Sequence, residues 1–293
     1  MKQFFNFVRN LFTFFTIKDI LFFMGKTILI AGKNMPDAGN FTEGIALSGR
    51  NIIVTGLQTE YEGKKLTIAE RKQNQANYEE EKLLEAKTGI CTIEWNKASP
   101  LSARSLVLQT ATIYSNLDEA VLYFDEEWYA SKANKMDSEE VARASDEMLV
   151  GYQYLALEIL SSFQRRETKD GPGTLVFLIK EGPSPIDVFR SPALKTGLSA
   201  ISSPIVAACA SAFSSFAENI AALYHDSIFA NIVLVRGDRT TEGFRRDDET
   251  GKWLCTYLNS LEKNAGKPDP KRPIQWVKPG SKPSSGGFLF FRR

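Results

Sequence analysis

The side chains able to do chemistry are unevenly supplied in this sequence. His225 is its one histidine, so a Ser-His-Asp triad or a multi-histidine metal site would hang on a single residue. It falls late in a predicted helix, where a solvated or packed imidazole is the plainer reading. Cys91, Cys209 and Cys255 are far apart and odd in number. Their spacing suggests neither a metal site nor a disulfide framework, and a reducing, cytoplasmic compartment is expected. Carboxylates cluster at Asp125, Glu126 and Glu127. At the end of a strand such a cluster suits cation binding or acid–base work. With no partnering histidine, a solvated loop is the plainer expectation. Arg236, Arg239, Arg245 and Arg246, with Asp238 among them, gather basic charge; an anionic ligand or surface ion pairs account for it equally.

The elements that must carry these residues alternate between strand and helix from Gly25 onward. Residues 26–32, 51–56, 90–95, 119–124, 173–180 and 231–237 are short apolar runs, such as KTILIAG and NIIVTG, of the kind that form parallel strands buried on both faces. A seventh strand is expected at 273–278. Between the runs lie a highly charged surface helix at 65–87 and a helix opened by Ser99 and Pro100 as N-cap and first residue. A long amphipathic helix follows from Asp137 and Glu140, a capping-box pair, to about Phe163. An Ala/Ser-rich helix spans 203–224, and a short helix Trp253 to Leu261. This alternation implies an α/β fold: a doubly wound, mostly parallel sheet of about seven strands with helices on both faces. Ligands in such sheets bind at the carboxyl ends of the strands. With 293 residues, 43% of them hydrophobic, and no long linker, residues 25–293 read as one domain. The net charge of +1 gives no reason to expect nucleic acid.

The order and spacing of these elements resemble the short-chain dehydrogenase/reductase family over about residues 26–280. The first strand, the turn Ala31-Gly32, the helix ending at Gly49 and the strand Ile52–Thr55 are similar to the family's opening unit. Arg236-Gly237 with Thr241 resembles its Pro-Gly…Thr beside the nicotinamide. The resemblance implies cofactor contacts at Gly32, Lys33, Gly39, Glu94, Gly237 and Thr241. It also puts NAD or NADP binding in doubt. The family's Thr-Gly-x-x-x-Gly-x-Gly becomes Ala31 to Ala38 here. Pro36 has no N–H to offer a phosphate, Ala38 adds a Cβ where close approach is needed, and Asp37 brings negative charge. Lys33 partly offsets that charge, and Gly39 rescues a shifted turn. Leu57 stands where a ribose-binding acid is often found.

The family's catalytic Asn, Ser, Tyr and Lys correspond to Met148, about Lys180, and near Val206 and Ala210. No tyrosine lies between Tyr154 and Tyr224, and the single lysine between Lys180 and Lys252 is Lys195, four residues after Ser191. Tyr129-Ala130-Ser131-Lys132 looks like the family's Tyr-x-Ala-Ser-Lys. Its spacing is one residue short and it follows the fourth strand instead of the fifth, so it reads as loop or helix start. In the family the helix corresponding to 203–224 often forms a dimer interface, and the small residues Ala207 to Ala212 suit close helix contact, so a homodimer or tetramer is implied. The expectation is a dehydrogenase-like pseudoenzyme with no catalytic residue set, no cofactor and no metal, acting through binding or assembly. The alternative is an NAD(P)-dependent oxidoreductase with a rearranged site using Lys180, Lys195 or Tyr123.

Residues 1–24 hold eight of the twenty phenylalanines. Polar Asn6, Arg9, Asn10, Thr13, Thr16 and Asp19 recur at helical spacing opposite Phe4, Phe5, Val8, Leu11, Phe12, Phe15 and Leu21. Arg9, Lys18 and Asp19 interrupt a bilayer span, and Phe22 and Met24 are bulky for a signal cleavage site. Three readings stay open: an amphipathic helix lying in a membrane interface through residues 4–23, at the inner face of a membrane; a helix packed on a partner; or a leader upstream of a start at Met24. Co-sedimentation with liposomes separates them. The interfacial helix predicts that the full chain pellets and a chain starting at Met24 does not, and equal behaviour removes that reading.

Overall fold

The computed structural model describes residues 25–56, 82, 85, 89–133, 135, 137–166, 171–190, 201–238, 246–263 and 274–281. Six strands form one all-parallel sheet in the order β3-β2-β1-β4-β5-β6: β1 (Thr27–Ala31), β2 (Asn51–Gly56), β3 (Ile90–Glu94), β4 (Glu119–Asp125), β5 (Gly173–Glu181) and β6 (Ala230–Asp238). The first strand therefore sits near the middle, and the chain winds outward from it in both directions.

Side chains alternate across the sheet because successive strand residues point to opposite faces. Leu29, Ala31, Ile53, Leu122, Phe124, Leu175 and Phe177 share one core. Helices α2 (Pro100–Tyr114), α4 (Ser138–Ser145), α5 (Gly151–Gln164) and α7 (Pro204–Leu223) contribute to it. Ile28, Ile30, Ile52, Val54, Val121, Tyr123, Val176 and Leu178 share the other, under α1 (Gly39–Ala46) and α8 (Asp247–Lys263). Each leucine, isoleucine, valine or phenylalanine so removed from water contributes about 1.5–3 kcal/mol before the entropy of ordering is set against it. The apolar character of α7 has the same origin, since Val206, Cys209, Phe213 and Ala217 are buried. Two short helices complete the described elements, α3 (Glu126–Lys132) and α6 (Pro185–Arg190).

The predicted caps form. Ser99 accepts from Ser102 N–H at 3.2 Å with Pro100 first in α2, and Asp137 accepts from Glu140 N–H at 2.8 Å. Two expectations are corrected, and a third is refined. The seventh strand is a single bridge, with Arg236 N–H donating to Val277 O at 3.0 Å and Val277 N–H to Leu234 O at 2.8 Å. Pro273 and Pro279 flank that segment, and proline has no N–H to extend a ladder. The long helix from Asp137 runs through Gln164 as expected, with one π turn inside it at Asp146–Val150. The short helix at Trp253 begins six residues earlier, at Asp247, where Asp247, Asp248 and Glu249 suit the positive end of a helix. Of the surface helix expected at 65–87, only Lys82 and Glu85 lie within the described residues; both are helical and ion-paired at 3.0 Å. Residues 1–24 lie outside the described residues.

Helix α8 is tied down at both ends of the sheet. At the amino edge, Arg50 donates to both oxygens of Glu119, at 2.5 and 3.0 Å, and to Asn259 of α8 at 2.8 Å. At the carboxyl edge, Asp247 is held by two lysines. Between these ends α8 lies against α1 with glycines at the contact. A Cβ on Gly44 would overlap the Asp248 carbonyl oxygen, and one on Gly251 would sit 2.5 Å from Phe41 O. Gly39 has no atom near its missing Cβ. Gly44→Ala is therefore expected to cost about 1–3 kcal/mol through overpacking, whereas Gly39→Ala gains up to about 1 kcal/mol from reduced backbone entropy. Urea unfolding of the two variants against the parent checks both signs.

Candidate functional site

The chain leaves β1 toward α1 on one face and leaves β4 toward α3 and the opposite face. Between these two strands lies the switch point where parallel sheets open a crevice. Gly32 stands there with φ +122°, a conformation glycine adopts readily. A Cβ on it would overlap the Tyr123 carbonyl and the Tyr152 hydroxyl. The crevice is lined on both sides by the chain's own polar side chains.

On one side stands Lys97, in the turn after β3 and only 6% exposed. Its ammonium donates to Gly32 O at 2.8 Å and Tyr129 Oη at 2.9 Å. The rings of Trp95, Trp128, Tyr129 and Tyr152 surround it, with centroids 5.4, 5.5, 5.1 and 5.7 Å from Nζ. Tyr129 and Tyr152 share a hydrogen bond of 2.9 Å, and Tyr152 donates to Tyr123 O at 2.7 Å. Gly151 leaves room for this turn, since its Cβ would fall 2.7 Å from that of Lys97. Among the described residues no carboxylate pairs with Lys97. Burial lowers its pKa to about 7; Glu147 works against the shift and Lys132 with it. Outside the cage, Trp128 Nε1–H donates to Asp37 at 2.7 Å and Lys132 joins the same oxygen at 3.1 Å, so Asp37, in the turn after β1, is already engaged. These two bonds hold its carboxyl below the usual range, Trp128 first.

On the other side, Asp247 bridges two lysines. Lys33 reaches Asp247 Oδ2 at 2.8 Å and Asp125 Oδ2 at 3.0 Å; Lys180 reaches Asp247 Oδ1 at 2.8 Å. Tyr123 donates to that same Oδ1 at 3.3 Å. Burial opposes both charges, yet the lysines hold the Asp247 carboxyl below its ordinary value, and Asp125 and Asp247 hold the Lys33 ammonium above its own. Burial, with Asp125 and Asp247 adding to it, drives the Tyr123 phenol well up. Burial and then Tyr152 do the same to Tyr129.

The structure scatters the predicted contacts along the carboxyl edge of the sheet. Gly32 and Lys33 flank the crevice. Gly39 opens α1, Glu94 ends β3 opposite Gly56, and Gly237 pairs in register with Lys180. Thr241, Leu57, Ser191, Lys195, Arg239 and Arg245 lie outside the described residues. The solvated loop expected at Asp125 to Glu127 is corrected. Asp125, 2% exposed, ends β4 and takes the Lys33 contact, while Glu126 is buried against Ser202, whose hydroxyl donates at 3.0 Å. Burial raises the Glu126 carboxyl to about 7, against the hydrogen bonds from Ser202 and Gly182. Among the described residues no group of acidic, cysteine and histidine side chains could hold a metal. Arg236 lies 4.2 Å over the Trp276 ring and 3.5 Å from Glu181, and Arg246 pairs with Asp248 and Glu249, as surface ion pairing implied. His225 is exposed. All three cysteines are buried and free, with thiols pushed up by burial, Cys91 to about 12. Tyr129 and Lys132 share α3 but diverge; the phenol meets Lys97 instead. Lys97, Tyr152, Trp128 and Asp247 were missed by sequence reasoning. Their one signal was position: Lys97 just past the end of a strand, Asp247 at the start of an acidic helix turn.

No protein-family model matches the chain, and no curated protein does. Solved structures do. A short-chain dehydrogenase/reductase from Brucella melitensis, described as a glucose/ribitol dehydrogenase, matches with a TM-score of 0.52 at 16% identity, over 86% of this chain and 94% of that one. A short-chain dehydrogenase from Mycobacterium smegmatis gives 0.52 at 15%, over 89% and 93%. The 3-ketoacyl-(acyl-carrier-protein) reductase of Brucella melitensis complexed with NADH gives 0.52 at 10%, over 87% and 97%. The chain thus shares the Rossmann-type α/β fold of these structures.

Two buried groups give opposite pH slopes. Lys97 titrates near 7 when folded and 10.5 when unfolded, so between those values the unfolded chain holds the extra proton and stability rises with pH. Glu126 titrates near 7 when folded and 4.5 when unfolded, so there the folded chain holds the extra proton and stability falls as pH rises. Together they place a stability minimum close to pH 7. Each slope is worth up to about 1.4 kcal/mol per pH unit. Urea midpoints from pH 5 to 9.5 test this: Lys97→Met is expected to flatten the alkaline limb and Glu126→Gln the acid limb.

Proposed function

We propose that this chain is a dehydrogenase-like protein that has left hydride transfer and acts by binding or assembly. The observation that carries the reading is the filled crevice. Where a dinucleotide would lie against the turn after β1, the Gly32 carbonyl is taken by Lys97, the space beside its Cα by Tyr152, and the lysines beyond by Asp247. The positions corresponding to the family's catalytic groups support it: Met148 is buried at the π turn, Lys180 is ion-paired, and Val206 and Ala210 are buried in α7. Proton transfer near neutral pH wants a phenol whose pKa is brought down by a neighbouring ammonium; here Tyr123 and Tyr129 are both driven up.

A rearranged oxidoreductase is the second reading. The phenol of Tyr123 and the ammonium of Lys180 do meet, across one Asp247 oxygen, and two of the similar structures are described as complexed with NAD or NADH. Assembly would engage a second copy on the outward face of α7, where Ala208, Ser211 and Ser215 are exposed. Our reading expects no oxidation of NADH or NADPH over a broad carbonyl panel and no rise in melting temperature with either nucleotide, with light scattering reporting a dimer or larger. Turnover abolished by Tyr123→Phe would establish the rearranged enzyme instead.

A further inference from the structure

We infer that Lys97 is a covalent site for small aldehydes, gated by the contact of Asp37 with Trp128 and Lys132. This chemistry involves no hydride and stands apart from the function proposed above.

The cage around Lys97 suits an amine and its cationic products. Nζ donates to Gly32 O at 2.8 Å and to Tyr129 Oη at 2.9 Å, and the faces of Trp95, Trp128, Tyr129 and Tyr152 surround it. Ring faces favour a cation, and more so when water is excluded. The charged groups that bear on it are Glu147, from the π turn, and Lys132, from α3. The phenols of Tyr129 and Tyr152 complete its titratable surroundings. Burial outweighs them, so slightly above neutral pH the nitrogen is mostly a free amine with its lone pair available. A separate observation points to a ligand. The Trp95 N–H, on a side chain 3% exposed, has no hydrogen-bond partner among the described residues, and its ring stands 5.4 Å from Nζ. A buried donor left unpaired calls for an acceptor; a carbonyl oxygen is one, and a short alkyl chain suits the ring walls.

The step is a condensation. The amine lone pair forms the C–N bond while the carbonyl π pair moves onto oxygen. That oxygen takes the Tyr129 proton, and the phenol recovers one from the attacking nitrogen. The nitrogen lone pair then forms C=N as the hydroxyl departs, taking one proton from solvent and leaving as water. Amine, aldehyde and one proton thus give a protonated imine and water, with nothing oxidised or reduced. The cation so formed keeps one N–H, for which Gly32 O is the acceptor already in place.

Lys97 is 6% exposed, so a wall must move to admit the aldehyde. Trp95 and Tyr152 belong to the core. Trp128 is only partly buried, on the short helix α3. Its indole N–H donates to Asp37 at 2.7 Å, and Lys132, 4.3 Å over its ring, joins the same oxygen. The Asp37 and Lys132 side chains are 44% and 42% exposed. Exposed contacts of this kind hold weakly, so Trp128 is the wall that opens.

Incubation of the full chain with propionaldehyde and sodium cyanoborohydride at pH 7.5, followed by peptide mapping, tests this, because the reagent reduces the imine to a stable secondary amine. At that pH about one exposed lysine in a thousand is a free amine, which leaves Lys97 a wide margin against the cost of opening. Lys97 is expected to be alkylated at least tenfold faster than the exposed Lys252 and Lys263, and this preference to vanish in urea. Asp37→Ala is expected to raise the Lys97 rate at least threefold while leaving the other two unchanged. A preference below tenfold in the parent overturns the proposal, as does a Lys97 rate that Asp37→Ala fails to raise. NAD(P)H turnover would sink the function proposed above and leave this site standing.

Discussion

One carboxylate held between two ammonium groups organises the carboxyl edge of this sheet. Asp247 draws Lys33, from the turn after β1, and Lys180, from β5, to a single point and fixes the start of α8 there. Such a buried ionic cluster is weak as a source of net stability, because desolvation offsets most of the attraction, but losing one member leaves charge stranded. Its weight lies in position. It closes the crevice from one side and sets where α8 crosses the second face of the sheet, with Arg50, Glu119 and Asn259 holding the other end.

The opposite wall of the crevice follows a different rule. Lys97 has aromatic rings and two oxygen acceptors around it but pairs with no carboxylate among the described residues, so burial lowers its pKa to about 7 and its proton is easily given up. Ammonium groups are consumed by carboxylates or caged by rings, and the phenols nearest them are pushed away from ionisation. Buried, raised thiols offer no nucleophile in their place. The Rossmann-type fold thus carries a crevice in which Lys33, Lys97 and Lys180 are each engaged by other residues of the chain.

Much of the fold was legible because a strand buried on both faces must be a continuous apolar run, and TILIA and NIIVTG are unmistakable as such. Caps at Ser99 and Asp137 follow local rules and were readable for the same reason. The errors have local causes as well. Prolines on either side of 274–278 cut a strand to one bridge, and an acidic first turn with Gly251 disguised six residues of α8. The site was harder to read. A lysine in a short turn looks solvated, and nothing near Lys97 in the chain announces that Tyr129 and Tyr152 will enclose it. Asp125 and Glu126 looked like exposed acids for the same reason: their partners Lys33 and Ser202 come from distant segments.

The separation of those partners has a consequence during synthesis. Lys33 and Asp247 lie 214 residues apart, yet β1 is an inner strand and α8 is half of its cover on one side. While the ribosome is still making the residues between, Ile28, Ile30, Val54 and Tyr123 face a layer of which only α1 has been made. A nascent chain of this topology must either wait, loosely collapsed, or be shielded by a holding chaperone until its late helix emerges. Truncation before that helix would therefore yield aggregation-prone material in place of a smaller stable domain.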